Sequence, residues 1–351
     1  MRKHFRRQPP EWPGLSLALL LLLLLLPAAA RAQRPATAAG RLAPKPLYRD
    51  PVYDGAADPV LIWNQQVGRW WMLYTNRRAT DTTAAGVTWV HGTRIGIAES
   101  ADGGATWTYR DTANISYRPQ PGYTFWAPDV VAAGGQYHMF LTYVPGTFTD
   151  WQHPRHIVHL TSPDLLNWQY HSTLPLANDK VIDASVLRLP DGTWRLWYNN
   201  ERDHKYTYYA DSPDLLRWTD RGPALTERGE GPKVFRWRGQ YWLLIDPWRG
   251  LAAYHSRDLL HWTTQPTRLL EAPGRGPDDQ AIGGHCDVVV QGRHAYLFYF
   301  THPGRTAAHP APATSVAARR SVIQVVELHY QHGQLTCDRD QPTYVRLKRR
   351  R

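Results

Sequence analysis

Cysteine is nearly missing from this chain of 351 residues, where Cys286 and Cys337 are the only two. Two thiols cannot make a disulfide framework or a four-thiolate zinc site, although one bridge between them stays open in an exported protein. Long apolar runs are scarce as well. Leu15 to Leu26 is almost wholly leucine, but it is shorter than the roughly 20 residues that a membrane-spanning helix needs. A basic stretch precedes it, and Pro27, Ala28, Ala29, Ala30 and Ala32 follow it. That order is expected of an export signal cleaved after Ala32. Residues 1–32 are therefore read as a signal peptide, with a secreted or periplasmic product and no stable membrane insertion after cleavage. No cysteine follows the cleavage region, so the usual lipoprotein attachment lacks its acceptor.

Strong charge of one sign is also lacking once its position is considered. The formal net charge is +11, but residues 1–32 hold +4 and residues 346–351 hold +5, which leaves +2 for everything between. A nearly neutral body argues against an extended nucleic-acid surface. Residues 346–351 are read as a solvated basic tail, with contact to an anionic surface as the alternative.

Large side chains are abundant, with 16 Trp, 19 Tyr and 7 Phe, which excludes a disordered chain. Gly (26) and Pro (28) recur between short apolar runs as turn punctuation, so long helices are not expected. Self-comparison finds four segments with the same signature: Ser100-Asp102-Trp107, Ser162-Asp164-Trp168, Ser212-Asp214-Trp218 and Ser256-Asp258-Trp262. An alternating run, RIGIAES, HIVHLTS, YTYYADS or GLAAYHS, precedes each one. Each signature thus reads as a turn after a strand, with its Trp packing between neighbouring units. SADGGATW also matches the Asp-box turn of sialidases, which is structural and carries no chemistry by itself.

A second pattern recurs five times: DPVLIW with RWWMLYT, DVVAAG with QYHMFLTY, DASVLRL with TWRLWYN, GPKVFRW with QYWLLID, and CDVVVQG with HAYLFYF. SVIQVVELHY and GQLTC supply outer strands to the fifth unit. Units of three or four strands at this spacing predict an all-β fold, a five-bladed β-propeller of antiparallel blades spanning 33–345 as one domain. Inner strands of a propeller line the channel, so their first residues converge. Asp58, Asp129, Asp183, Glu230, and His285 with Asp287 stand at those starts. Carboxyl groups brought together cannot all ionise without cost, and their proton affinities should spread. Glycoside hydrolysis needs such a division, with one carboxylic acid and one carboxylate.

ADPVLIW, WAPDVV, VIDASVLRLPDG, EGPKVFRWRGQYWLL and GGHCDVVV, in this order from Tyr53 to Phe300, resemble glycoside hydrolase family 43 and its five-bladed relatives, including family 117. The resemblance implies Asp58 as general base, Asp183 as the residue that orients the acid and raises its pKa, and Glu230 as general acid. It also implies an inverting mechanism. Asp129 matches a structural, substrate-adjacent motif. His285 matches a histidine near the channel axis, often beside calcium; since calcium prefers oxygen, His285 would hold water around the ion. In family 117-like enzymes a histidine has instead been assigned the proton-donor role. No cofactor is expected to be required, with a structural calcium left open. Trp89, His91, Trp126, Asp129, Asn200, Arg202, Trp248, Arg249 and His285 are candidate substrate contacts, because aromatic faces stack on sugars and Arg or Asn bonds hydroxyls. The expected substrate is a plant- or algal-type oligosaccharide or polysaccharide, and nucleic acid is not an expected partner. A carbohydrate-binding propeller without activity is the rival. A fructan- or sucrose-acting enzyme is disfavoured because Ala57 stands where those families carry Asn before Asp-Pro.

Overall fold

A computed structural model describes residues 40–307 and 314–348, together with Met1, Gln8 and Pro312. The expected signal peptide falls, apart from Met1 and Gln8, outside these residues.

Each Gly-containing turn between two apolar runs becomes a hairpin, and the hairpins build five antiparallel sheets. The inner strands are Ala56–Asn64, Thr124–Ala133, Val181–Arg188, Glu230–Trp237 and Gly283–Gln291. We number the blades 1 to 5 in that order. Three further strands complete each blade outward. Val322–Gln331 and Gln334–Thr336 finish blade 5, and Asn114–Ile115 adds a parallel fifth strand to the edge of blade 2. Every sheet is thereby stacked face to face with two others, and a hydrophobic cluster fills each of the five gaps. The four Ser-x-Asp segments are the turns after the third strands of blades 1 to 4. In three of them the Asp carboxylate accepts the backbone N–H groups two and three residues on, and in the first, those three and four residues on. Their Trp side chains enter the gaps between blades, as the repeat implied.

Both ends of the body close the ring. Arg41–Leu42 pairs with Tyr344–Val345, and Tyr48 exchanges backbone hydrogen bonds with Ile323 of blade 5 at 3.1 and 2.9 Å. Leu347, counted in the basic tail from sequence, is buried. Its N–H reaches the Gly103 carbonyl at 2.7 Å, while Trp70 Nε1 donates to its carbonyl at 3.3 Å. Alternation of apolar and polar residues could not be seen in a six-residue run containing a single Leu. Cys286 and Cys337 are both free.

Candidate active site

Each inner strand carries one extra residue close to its start. The register against the second strand shifts between Ala57 and Val60, Trp126 and Asp129, Ile182 and Ser185, Glu230 and Lys233, and Gly284 and Cys286. Such bulges bend a strand and re-aim one side chain. At four of the five, the extra residue adopts a left-handed backbone: Asp58 (φ 51°), Ala127 (φ 43°), Asp183 (φ 62°) and Gly231 (φ 58°). Asp tolerates this region better than most residues, and strain of this kind gathers at functional sites. Gly231 has a second constraint, because a Cβ there would lie 2.7 Å from Cγ of His285.

The bulges are fastened from blade to blade. The N–H groups of Ala127, Asp183, Gly231 and His285 donate to Thr75 Oγ1, Thr142 Oγ1, Asp183 Oδ2 and Asp246 Oδ2 of the preceding blade, at 2.8, 3.0, 2.9 and 3.0 Å. Asp58, Asp183 and His285 thus share one layer of the channel, and Glu230 precedes the blade 4 bulge by one residue.

Asp129 belongs elsewhere, which corrects its placement at the start of an inner strand. The blade 2 residue equivalent to Asp58 is Ala127, and Asp129 sits two positions further along. Its Oδ2 accepts the Val186 N–H at 2.6 Å, and its Oδ1 meets Lys233 Nζ at 2.9 Å. Asp287 stands at the same level, accepting the Leu61 N–H at 2.8 Å and meeting Lys233 Nζ at 2.8 Å. Two carboxylates and one ammonium therefore brace the channel below the bulge layer.

The electrostatics of the bulge layer are uneven. Burial pushes the Asp58 carboxyl up, but Arg77, His285 and the Thr75 hydroxyl outweigh it and hold the group below its ordinary value. Arg77 Nη2 lies 3.0 and 3.2 Å from the two Asp58 oxygens, and His285 Nδ1 lies 3.5 Å from Oδ1. Arg77 is itself placed by the Phe300 ring, 4.7 Å from Cζ, and by His302 Nε2 at 3.3 Å from Nη1. His302 Nδ1 lies 2.7 Å from the Arg320 carbonyl, so it carries the proton and leaves Nε2 free to accept. Asp183 is raised to about 7 by burial and by the charge of Asp58. Glu230 is raised by burial, against Lys205, whose Nζ is 3.6 Å from Oε2. Its Oε1 accepts Trp248 Nε1–H at 3.1 Å. Asp246 is raised to about 7 by burial and Glu230.

The candidate contacts divide. Trp248 is 40% exposed, touches Glu230 and lies under Lys205 and Arg228, 5.5 and 5.0 Å from its ring. Arg249 is exposed on the bend after it. Trp89, His91 and Trp126 are buried, so the expected loop of open aromatic faces is largely packed. The His91 ring lies 5.1 Å from that of Trp126, and Trp126 Nε1 donates to the Val90 carbonyl at 2.6 Å. Burial holds His91 down at about 4. Asn200 is buried, accepting from Asn178 Nδ2 at 2.7 Å, and Arg202 pairs with Asp179.

Arg77, Lys205, Asp246 and His302 carry weight that motif matching missed, and Glu201, marked from sequence only as ending an aromatic strand, acts beside them. Glu201 pairs with both Arg155 and Lys205, and so ties blades 2 and 3 to Glu230. A signal did exist: in a hairpin, the end of the second strand lies beside the start of the first. Arg77, Glu201 and His302 follow the second strands of blades 1, 3 and 5, and Asp246 ends that of blade 4.

A calcium ion fits this donor set poorly. Asp58 already has Arg77, and Asp129 and Asp287 already share Lys233. Among the described residues no group of three or more His, Cys, Asp or Glu is arranged to hold a metal.

No family model matches the chain. It is 30% identical over 152 residues to a probable sucrose-6-phosphate hydrolase of Psychromonas ingrahamii, covering 37% of this chain and 28% of that protein. It is 25% identical over 233 residues to an invertase of Schizosaccharomyces pombe, covering 55% of this chain and 39% of that protein. The chain therefore spans well under half the length of these curated relatives. Solved structures align along most of it. A thermostable family-43 glycoside hydrolase matches with a TM-score of 0.58 at 18% identity, over 86% of this chain and 98% of the other. A family-43 β-xylosidase/α-arabinofuranosidase from a compost metagenome, in complex with xylotriose, matches with a TM-score of 0.58 at 15% identity, over 85% and 97%. A family-43 β-1,3-galactosidase with galactodeoxynojirimycin matches with a TM-score of 0.58 at 14% identity, over 86% and 97%. What is shared at such identities is the fold, and this chain has the five-bladed β-propeller of the family-43 glycoside hydrolases.

Proposed function

We propose that this protein is an exported glycoside hydrolase that cleaves a terminal or near-terminal bond of a plant- or algal-type oligosaccharide or polysaccharide with inversion. The observation that carries the reading is the split among its carboxyl groups. Asp58 is held ionised by Arg77, while Glu230 is pushed up beside Asp183. Asp58 takes a proton from water as the water oxygen bonds to the anomeric carbon. The bond to the leaving oxygen breaks, and that oxygen receives the Glu230 proton. Lys205 then faces the newly ionised Glu230, and exchange with solvent resets both groups. Burial keeps Glu230 protonated beforehand, and Asp183 adds to this where it is ionised. The shared fold and the sugar-hydrolysing relatives support the reading.

Those same relatives favour a second reading, a sucrose- or fructan-acting hydrolase. A panel of aryl glycosides, plant and algal oligosaccharides and sucrose separates the two, with proton NMR of the first-formed anomer. Inversion is expected, and retention would reject Asp58 as base. Glu230→Gln should lose roughly 10²–10⁴-fold on a natural glycoside yet keep much activity on a strongly acidic phenol leaving group. His285→Ala should weaken both alike. Selective rescue in His285→Ala would transfer the acid role to His285.

A further inference from the structure

The inner strands end in hairpins about 20 Å from their bulges, at roughly 3.3 Å per residue. In blades 3, 4 and 5 these hairpins carry Arg188, Arg236, Arg238 and Arg293. Shared contacts join them into one surface. Leu187, Arg188, Pro190, Arg236 and Tyr241 line a depression of about 430 Å³. Arg238 Nη2 donates to the Arg293 carbonyl at 2.9 Å, and Trp237 Nε1 to the Gly292 carbonyl at 3.2 Å. The basic C-terminal run arrives at the same edge. The Lys348 N–H donates to Gln291 Oε1 at 3.2 Å, and Gln291 Nε2 donates back to the Lys348 carbonyl at 3.3 Å. Arg349, Arg350 and Arg351 follow in the sequence, outside the described residues.

Arg188, Arg236, Arg238, Arg293 and Lys348 are all exposed. Among the described residues none of the five forms an ion pair, whereas Arg69, Arg195, Arg217 and Arg275 each have a carboxylate. Two acids lie on these hairpins or beside them: Asp191, on the Arg188 hairpin, accepts from Thr193 and keeps its charge, and Glu327 lies against His294, so cations still outnumber anions on this face. Like charges left together repel one another, and a polyanion relieves that repulsion. The near-neutral charge of the body conceals this segregation, because Asp58, Asp183, Glu201, Glu230 and Asp246 gather at the opposite mouth.

We propose that this basic face is a second binding surface for a polysaccharide bearing carboxylate or sulfate groups. Leu187 and Pro190 offer apolar surface to a sugar ring beside the buried Tyr241, and the guanidinium groups at the rim can each hold two oxygens of a carboxylate or sulfate. Those groups are steadied by stacking, Arg188 at 5.8 Å from the Trp194 ring and Arg236 at 5.7 Å from the Tyr241 ring. A concave floor suits a chain better than a flat membrane. Among the described residues these hairpins also lack an exposed large apolar side chain to insert into lipid.

Affinity electrophoresis through gels containing polygalacturonate or carrageenan, with neutral arabinan as control, tests the surface. Wild-type protein should be retarded by the anionic chains alone, and added salt should abolish the retardation. Arg188→Ser/Arg236→Ser/Arg238→Ser/Arg293→Ser should weaken binding roughly tenfold or more, with unchanged melting because the side chains are exposed. The smaller Arg188→Ser/Arg236→Ser variant gives the same direction should the larger one misfold. Undiminished retardation of both variants, no retardation of the wild type, or preferential binding to phosphatidylserine vesicles would overturn the proposal. Binding is read without turnover, so its failure leaves the glycosidase reading standing, and the reverse also holds.

Discussion

Two layers of the same inner strands hold the same kinds of side chain and use them in opposite ways. In the bulge layer, Asp58 keeps a guanidinium while Asp183, among the described residues, accepts a backbone N–H alone, so proton affinities on neighbouring carboxyls are driven apart. Two positions along, Asp129 and Asp287 share the Lys233 ammonium, and each accepts an N–H from the next blade. The first arrangement leaves neighbouring carboxyls unequal and chemistry available. The second offsets one of its two negative charges and ties blades together. An aspartate on an inner strand therefore means little until its offset from the bulge is known.

The sharpest way to break the contrast is to remove the shared cation. Lys233→Met leaves two buried carboxylates without their partner and should destabilise the fold by about 3–5 kcal/mol in denaturant titrations. Replacing Asp129 and Asp287 with Asn in the same protein should recover most of that loss. Full stability in the single variant would show that the lower layer does not brace the channel.

Asp183 sharpens the other side. Its folded pKa of about 7 lies above the roughly 3.9 of an unfolded Asp. The ionised form thus destabilises the fold, and that penalty is absent at low pH, grows as pH rises through this window and is complete above it. Asp183→Asn keeps an oxygen for the Gly231 N–H. It should match wild type near pH 4 and melt a few degrees higher near pH 8. A pH-independent difference in melting temperature would refute the assignment.

The smallest effect is expected at Arg77. Arg77→Met withdraws the charge that depresses Asp58, so the acid limb of kcat/KM against pH should move upward, with Arg77→Lys intermediate. An unmoved limb would mean that His285 and Thr75 suffice.

The sequence by itself determined the number of blades, their order and the turns between them. Strand alternation, Gly turns and the Ser-x-Asp signature are local and need only neighbours in the chain. It also marked Asp58, Asp183 and Glu230, through motifs that resemble a known family in order along the chain, and Trp248, as an aromatic residue just after a strand. Only the tertiary structure decided that Asp129 is a brace for Lys233, 104 residues away. Only it brought Arg77, Lys205 and Asp246 to the carboxylates, packed His91 against Trp126 and placed Trp89 against His302. It also joined arginines of three blades to Lys348 in one face. Which charges meet depends on how strands from different blades are offset around the ring. That offset is set by packing between sheets and leaves no local pattern to read.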